Sequence, residues 1–173
     1  MLNFQQSTQI FQNKSKPLLE VLRIAKKKMS VKTIAITEIE EISPTDYQTY
    51  CDLLPQLSPH VSIPSFEYLN QVLASPQVSF FMAKEKMLVG GLTLVFNHLT
   101  TGLSVRIEDV IVDQRMRGQG LGRRLMEEAL VKAKAVGASA ISLSSNPKRI
   151  AANQLYQRLG FEQITTNVYR YAL

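Results

Sequence analysis

Arg117-Gly118-Gln119-Gly120-Leu121-Gly122-Arg123 sets three glycines at alternate positions between two arginines. Glycine adopts positive φ readily and leaves no side chain in the way of a ligand. The run stands where a helix should begin, so unpaired backbone N–H groups, the positive helix end and the arginines converge. An anion, most naturally a phosphate, suits that convergence. A tight strand-to-helix connection with solvated arginines fits the glycine spacing equally well. Other phosphate loops fit worse. A Walker loop needs Gly-Lys-Ser/Thr after four spacer residues, and a dinucleotide or kinase loop needs a third glycine where Arg123 stands.

The elements on either side must position this loop. Ile107 to Val112 is an apolar, branched run suited to a strand. After the loop, Leu121, Leu125, Ala129, Ala133 and Val136 form one helical stripe, widened by Met126 and Leu130. Glu108 lies inside the strand, where an acid requires a partner or a purpose. Alternation sends Glu108 and Asp109 to opposite faces unless a bulge intervenes. Farther on, Arg149, Asn153 and Tyr156 fall at i, i+4 and i+7, a single helical stripe.

The loop resembles the acetyl-CoA loop of the GNAT acyltransferases, R/Q-x-x-G-x-G/A, matched by Arg117, Gly120 and Gly122. The resemblance extends from about Thr33 to the C-terminus and includes the order of elements. It implies an α/β (α+β) GNAT fold, a mixed and mostly antiparallel sheet flanked by helices. It also implies an N-acetyltransferase that moves acetyl from acetyl-CoA to a primary amine by direct attack in a ternary complex. Val110, Ile111 and Val112 would then line the thioester. Arg117, Gly118, Gln119, Gly120, Leu121, Gly122 and Arg123 would hold the phosphates. The strand sequence Ile107-Glu108-Asp109-Val110 is similar to that of glucosamine-phosphate acetyltransferases, which makes Glu108 the first candidate for the base. A structural tie from Glu108 to Arg106 or Arg170 is the competing reading.

The family's N-x-x-A-x-x-L/F-Y-x-x-x-G-F pattern is matched by Ala152, Leu155, Tyr156, Gly160 and Phe161, and Arg149 replaces its first asparagine. By resemblance Tyr156 is the general acid to the CoA thiolate, and Arg149 or Asn153 makes the contact of the missing asparagine. An amphipathic tyrosine at the edge of the core is the plainer alternative.

Composition narrows the classes. At 173 residues, 45% hydrophobic and 20% charged, the chain suits one globular domain. Residues 1–32 carry seven Lys/Arg against Glu20, a net of +6 that accounts for the whole formal charge. They read as a basic extension ahead of a balanced domain at 33–173, so the high pI does not make the protein a nucleic-acid binder. A single cysteine, Cys51, excludes an internal disulfide framework and suits a cytoplasmic setting. No apolar run is long enough to span a membrane. His60 and His98 are isolated, and no metal is expected.

Along the chain we expect a strand at 33–42, a helix opened by Ser43-Pro44, a loop marked by Pro55, Pro59 and Pro64, and a short helix from Phe66. A hairpin over 78–96, the central strand and helix, and a strand at 140–143 follow. A helix capped by Asn146 and a final antiparallel pair at 161–165 and 167–172 end the chain. The acceptor identity is open, a small molecule being favoured over a protein, and a homodimer is compatible with the sequence. A different class, a non-catalytic acyl-CoA-binding module, is the rival reading.

Overall fold

In the computed structural model, residues 34–58 and 60–171 are described. The expected extension at 1–32 lies outside them. Branched and aromatic runs form five strands: β1 (Ala35–Ile39), β2 (Val78–Lys84), β3 (Leu88–Leu99), β4 (Gly102–Val112) and β5 (Ala140–Leu143). They lie in the order β1-β2-β3-β4-β5, antiparallel except for the parallel pair β4–β5.

Among the described residues four α-helices cover the sheet: α1 (Pro44–Leu57), α2 (Phe66–Leu73), α3 (Leu121–Ala135) and α4 (Ile150–Arg158). On one face, Leu121, Leu125, Met126, Ala129 and Ala133 of α3 pack against Leu92, Leu94, Val105 and Ile107. On the other, Tyr50, Leu53 and Leu54 of α1 and Leu69 and Leu73 of α2 pack against Phe80, Met82 and Ile111. Each stripe therefore buries against its own side of the sheet. The start of α1 is fixed by Ser43, whose Oγ accepts from the Asp46 N–H at 3.2 Å, with Pro44 in the first turn.

One feature of the sheet makes room for function. The β4–β5 pairing ends at Ile107 with Leu143, whereas β4 runs on to Val112. Past Ile107 that edge of β4 has no neighbouring strand among the described residues. Here β4 also carries a bulge: the register against β3 shifts between Gly91 and Thr93, and Asp109 takes a φ of 51°.

Three sequence expectations are corrected. Pro55 is not in a loop but inside α1, in its last turn, where its missing N–H leaves the Cys51 carbonyl without its helical donor. Asn146 does not cap α4. Its Oδ1 accepts from Lys148 N–H at 2.9 Å and its carbonyl from Arg149 N–H at 2.9 Å, a separate turn that delays the helix to Ile150. Residues 161–171 form no strands, and from Glu162 onward all are exposed. The edge that β5 offers them is four residues long, and strand propensity does not form a sheet without a partner.

Candidate functional site

The gap beside β4 opens into a cleft of about 780 Å³. Val110, Ile111 and Val112 form one wall, Gly118, Gly120 and Gly122 the mouth, and Arg149, the residue before α4, with Leu155 and Tyr156 of α4 the opposite side. The end of α1, Gln56 and Leu57, also lines it.

The loop is built from β4 outward. Asp113, only 1% exposed, caps a short 3₁₀ turn at Gln114–Met116. Its carboxylate accepts from the Arg115 backbone N–H at 2.9 Å and from the guanidinium at 2.5 Å. Those Arg115 bonds hold the Asp113 carboxyl below the usual carboxylate range. Arg117 then folds back, its Nε donating to the Val112 carbonyl at 2.9 Å. Gly118 and Gly120 take φ of 72° and 85°, conformations that favour glycine.

Gly120 is the N-cap of α3 and offers no side-chain cap, so the first-turn N–H groups have no capping side chain. A Cβ placed on Gly118 or Gly120 would meet nothing within 4 Å. The loop thus presents uncapped amides and open space beside Arg117 and Arg123, a donor set that fits a pyrophosphate.

The bulge changes the expected placement of the two acids. Strict alternation would separate Glu108 from Asp109, but at the bulge they lie close enough to influence each other. Although Asp109 is exposed at the surface, partial loss of solvation, and then the Glu108 charge, hold its carboxyl above its ordinary range. Asp109 in turn adds to the burial that pushes the Tyr50 phenol up. Glu108 is ion-paired with Arg106, whose NH2 group also donates to Ser144 Oγ at 2.9 Å. Neither acid lines the cleft itself.

Tyr156 is half-buried, lines the cleft and stacks edge-on against Phe161 at 6.2 Å. Burial raises its phenol above the ordinary value, and the Arg149 charge opposes that rise. Its hydroxyl therefore carries a proton at neutral pH.

Of the predicted cofactor-binding residues, Val110, Ile111, Val112, Arg117, Gly118, Gly120, Leu121, Gly122 and Arg123 all line the cleft. Arg123 also pairs with Glu127 at 2.7 Å. Gln119 and Asn153 do not line it. Gln119 donates to the Arg115 carbonyl at 3.3 Å, and the Asn153 amide to the Asn146 carbonyl at 3.0 Å. Asp113, beneath the loop, and Gln56, in the cleft wall, were not among the expected site residues. The Asp-x-Arg spacing before the loop was the available signal for the first, and nothing local signals the second.

Among the described residues, no group of three or more His, Cys, Asp or Glu side chains is placed to hold a metal. No helix among them is long and apolar enough to cross a membrane.

Comparison with solved structures shows the same fold. A putative acetyltransferase from Agrobacterium tumefaciens superposes with a TM-score of 0.67 at 22% identity, over 80% of this chain and 100% of that one. Glucosamine-6-phosphate N-acetyltransferase from Arabidopsis thaliana gives 0.66 at 18%, over 79% and 98%. AAC(6')-Iy, in complex with the bisubstrate analog CoA-S-monomethyl-acetylneamine, gives 0.64 at 19%, over 81% and 99%. No curated protein matches the sequence. The model of the acetyltransferase (GNAT) family matches residues 36–161, most of the chain, including every wall of the cleft, and the protein belongs to that family.

Proposed function

We propose that the protein is an acetyl-CoA-dependent N-acetyltransferase that acetylates a primary amine by direct attack. The observation that carries this reading is the cleft itself. An uncapped helix N-terminus with two left-handed glycines lies at one end of a stretch of β4 that is open on its β5 side, and a protonated tyrosine lies on the facing helix. That is a place for a phosphate, an amide-bearing arm and a leaving group in sequence. The complex of AAC(6')-Iy with a CoA-containing analog supports acetyl-CoA as the donor.

The loop amides with Arg117 and Arg123 hold the pyrophosphate. The free edge at Val110–Val112 orients the thioester-bearing arm. An acid at the bulge takes the proton of the attacking amine, which is mostly protonated at neutral pH because an alkylammonium titrates near about 10. Glu108 was the sequence candidate, but its carboxylate is occupied by Arg106. Asp109, at the crest of the bulge with a raised pKa, is the better base. Tyr156 donates its proton to the departing sulfur. The base thus acts from β4 and the acid from the facing helix α4.

The test is release of free thiol from acetyl-CoA against a broad panel of amines. Release that depends on one class of amine is expected and narrows the acceptor. If acetyl-CoA binds but no amine, amino-acid or peptide, promotes release, a non-catalytic acyl-CoA-binding module becomes the better reading.

A further inference from the structure

Arg149 stands where the family pattern has asparagine, and it does something an asparagine is too short to do. Its guanidinium crosses to α1 and donates to the Leu57 carbonyl at 2.6 Å. Leu57 is the last residue of α1, where the helix presents partial negative charge to a cation. The same helix end is tied on its other flank, because Gln56 Oε1 accepts from the Gln114 backbone N–H at 2.8 Å. The end of α1 therefore spans from the turn before the phosphate loop to the start of α4. Gln56, Leu57 and Arg149 all line the cleft that Tyr156 faces.

We propose that Arg149, pinned in place by Leu57, is a fixed positive charge that stabilises the CoA sulfur as it departs, acting beside Tyr156. This rests on the reading of the cleft as an acetyl-CoA site. As the amine nitrogen bonds to the acetyl carbon, the C–S bond breaks and its electron pair goes to sulfur. The amine's proton passes to Asp109 and on to solvent. The Tyr156 proton goes to sulfur, and the phenolate regains one from solvent. Arg149 keeps its own proton throughout, since a guanidinium does not titrate in this range. Its charge favours both negative species, thiolate and phenolate. The depression it exerts on the Tyr156 phenol has the sign this role requires. Arg149 is exposed, so solvent screens part of the effect.

The experiment reads the ionisation of CoA itself, without turnover. The ultraviolet absorption of the thiolate is followed against pH for CoA bound to the wild-type protein, Arg149→Met and Arg149→Lys. S-methyl-CoA serves as the blank that cancels the tyrosines. The Met variant should titrate about half to one pH unit higher than wild type, and the Lys variant close to wild type. Arg149→Gln serves as a second neutral variant should Arg149→Met fail to fold. CoA that binds the neutral variants with the wild-type midpoint overturns the role of Arg149 and leaves the acetyl-CoA reading standing. CoA that binds none of the proteins, wild type included, overturns both.

Discussion

Tyr156→Phe should lower kcat about a hundredfold and leave KM for acetyl-CoA within about twofold. The substitution removes one oxygen and keeps the ring that stacks edge-on with Phe161 and packs beside Leu155. The fold and the cleft wall should therefore survive. What should be lost is the proton that Tyr156 is proposed to give the leaving sulfur. Burial raises the phenol above its ordinary value, so the wild-type group is protonated across the physiological range. A steady-state comparison at saturating amine separates the two parameters. A loss confined to KM would make Tyr156 a binding residue, and unchanged kinetics would remove it from the chemistry.

Asp109→Asn should be the second large effect, lowering kcat/KM by roughly a hundredfold to a thousandfold. Asparagine tolerates the left-handed φ of 51° as well as aspartate does, so the bulge should persist and only the charge is removed. The sign of the pH dependence follows from the raised carboxyl. A base must be unprotonated, so wild-type activity falls as pH drops through the folded-state value, which lies above the ordinary carboxylate range near about 3.9. Asp109→Asn should lose that acid limb.

Stability moves the other way. A carboxyl raised in the folded state favours folding below its unfolded value, and that contribution is lost as pH rises through the folded value. At neutral pH the variant should therefore melt at the same temperature as wild type or higher. A thermal melt beside the pH–rate profile thus separates a lost base from a damaged fold. If Glu108→Gln removes the acid limb and Asp109→Asn does not, the base is Glu108.

The two acids mark the limit of what local sequence could tell. The apolar stripe of α3, the Ser43-Pro44 start of α1, the strand runs and the Gly-rich loop are set by neighbours a few residues apart, and these were readable. The bulge is different. It depends on β3, where a Cβ on Gly91 would stand 2.6 Å from Phe80 Cζ and one on Gly90 2.8 Å from the Ile111 carbonyl. Those contacts join residues from three strands, and no spacing within β4 encodes them. The result reverses the alternation that had separated Glu108 from Asp109.

Asn153 shows the same limit on a smaller scale. Asn153 lies in α4 but off the cleft, its amide engaged by the carbonyls of the Asn146–Pro147 turn, which only the folded loop brings within reach. At the C-terminus, Ile164, Val168, Tyr169 and Tyr171 have strand-forming side chains, yet they stay exposed because strand formation is decided by a partner edge.

The central claim is that the cleft binds acetyl-CoA through the loop at Gly118–Gly122, and titration calorimetry tests it most directly. Wild-type protein should bind one acetyl-CoA per chain, with affinity that weakens as salt is raised. Gly120→Val should bind at least about tenfold more weakly, because a branched side chain is strained at a φ of 85° and its Cβ intrudes where phosphate oxygens would lie. No measurable binding to the wild-type protein, or equal binding to the correctly folded variant, would contradict the account.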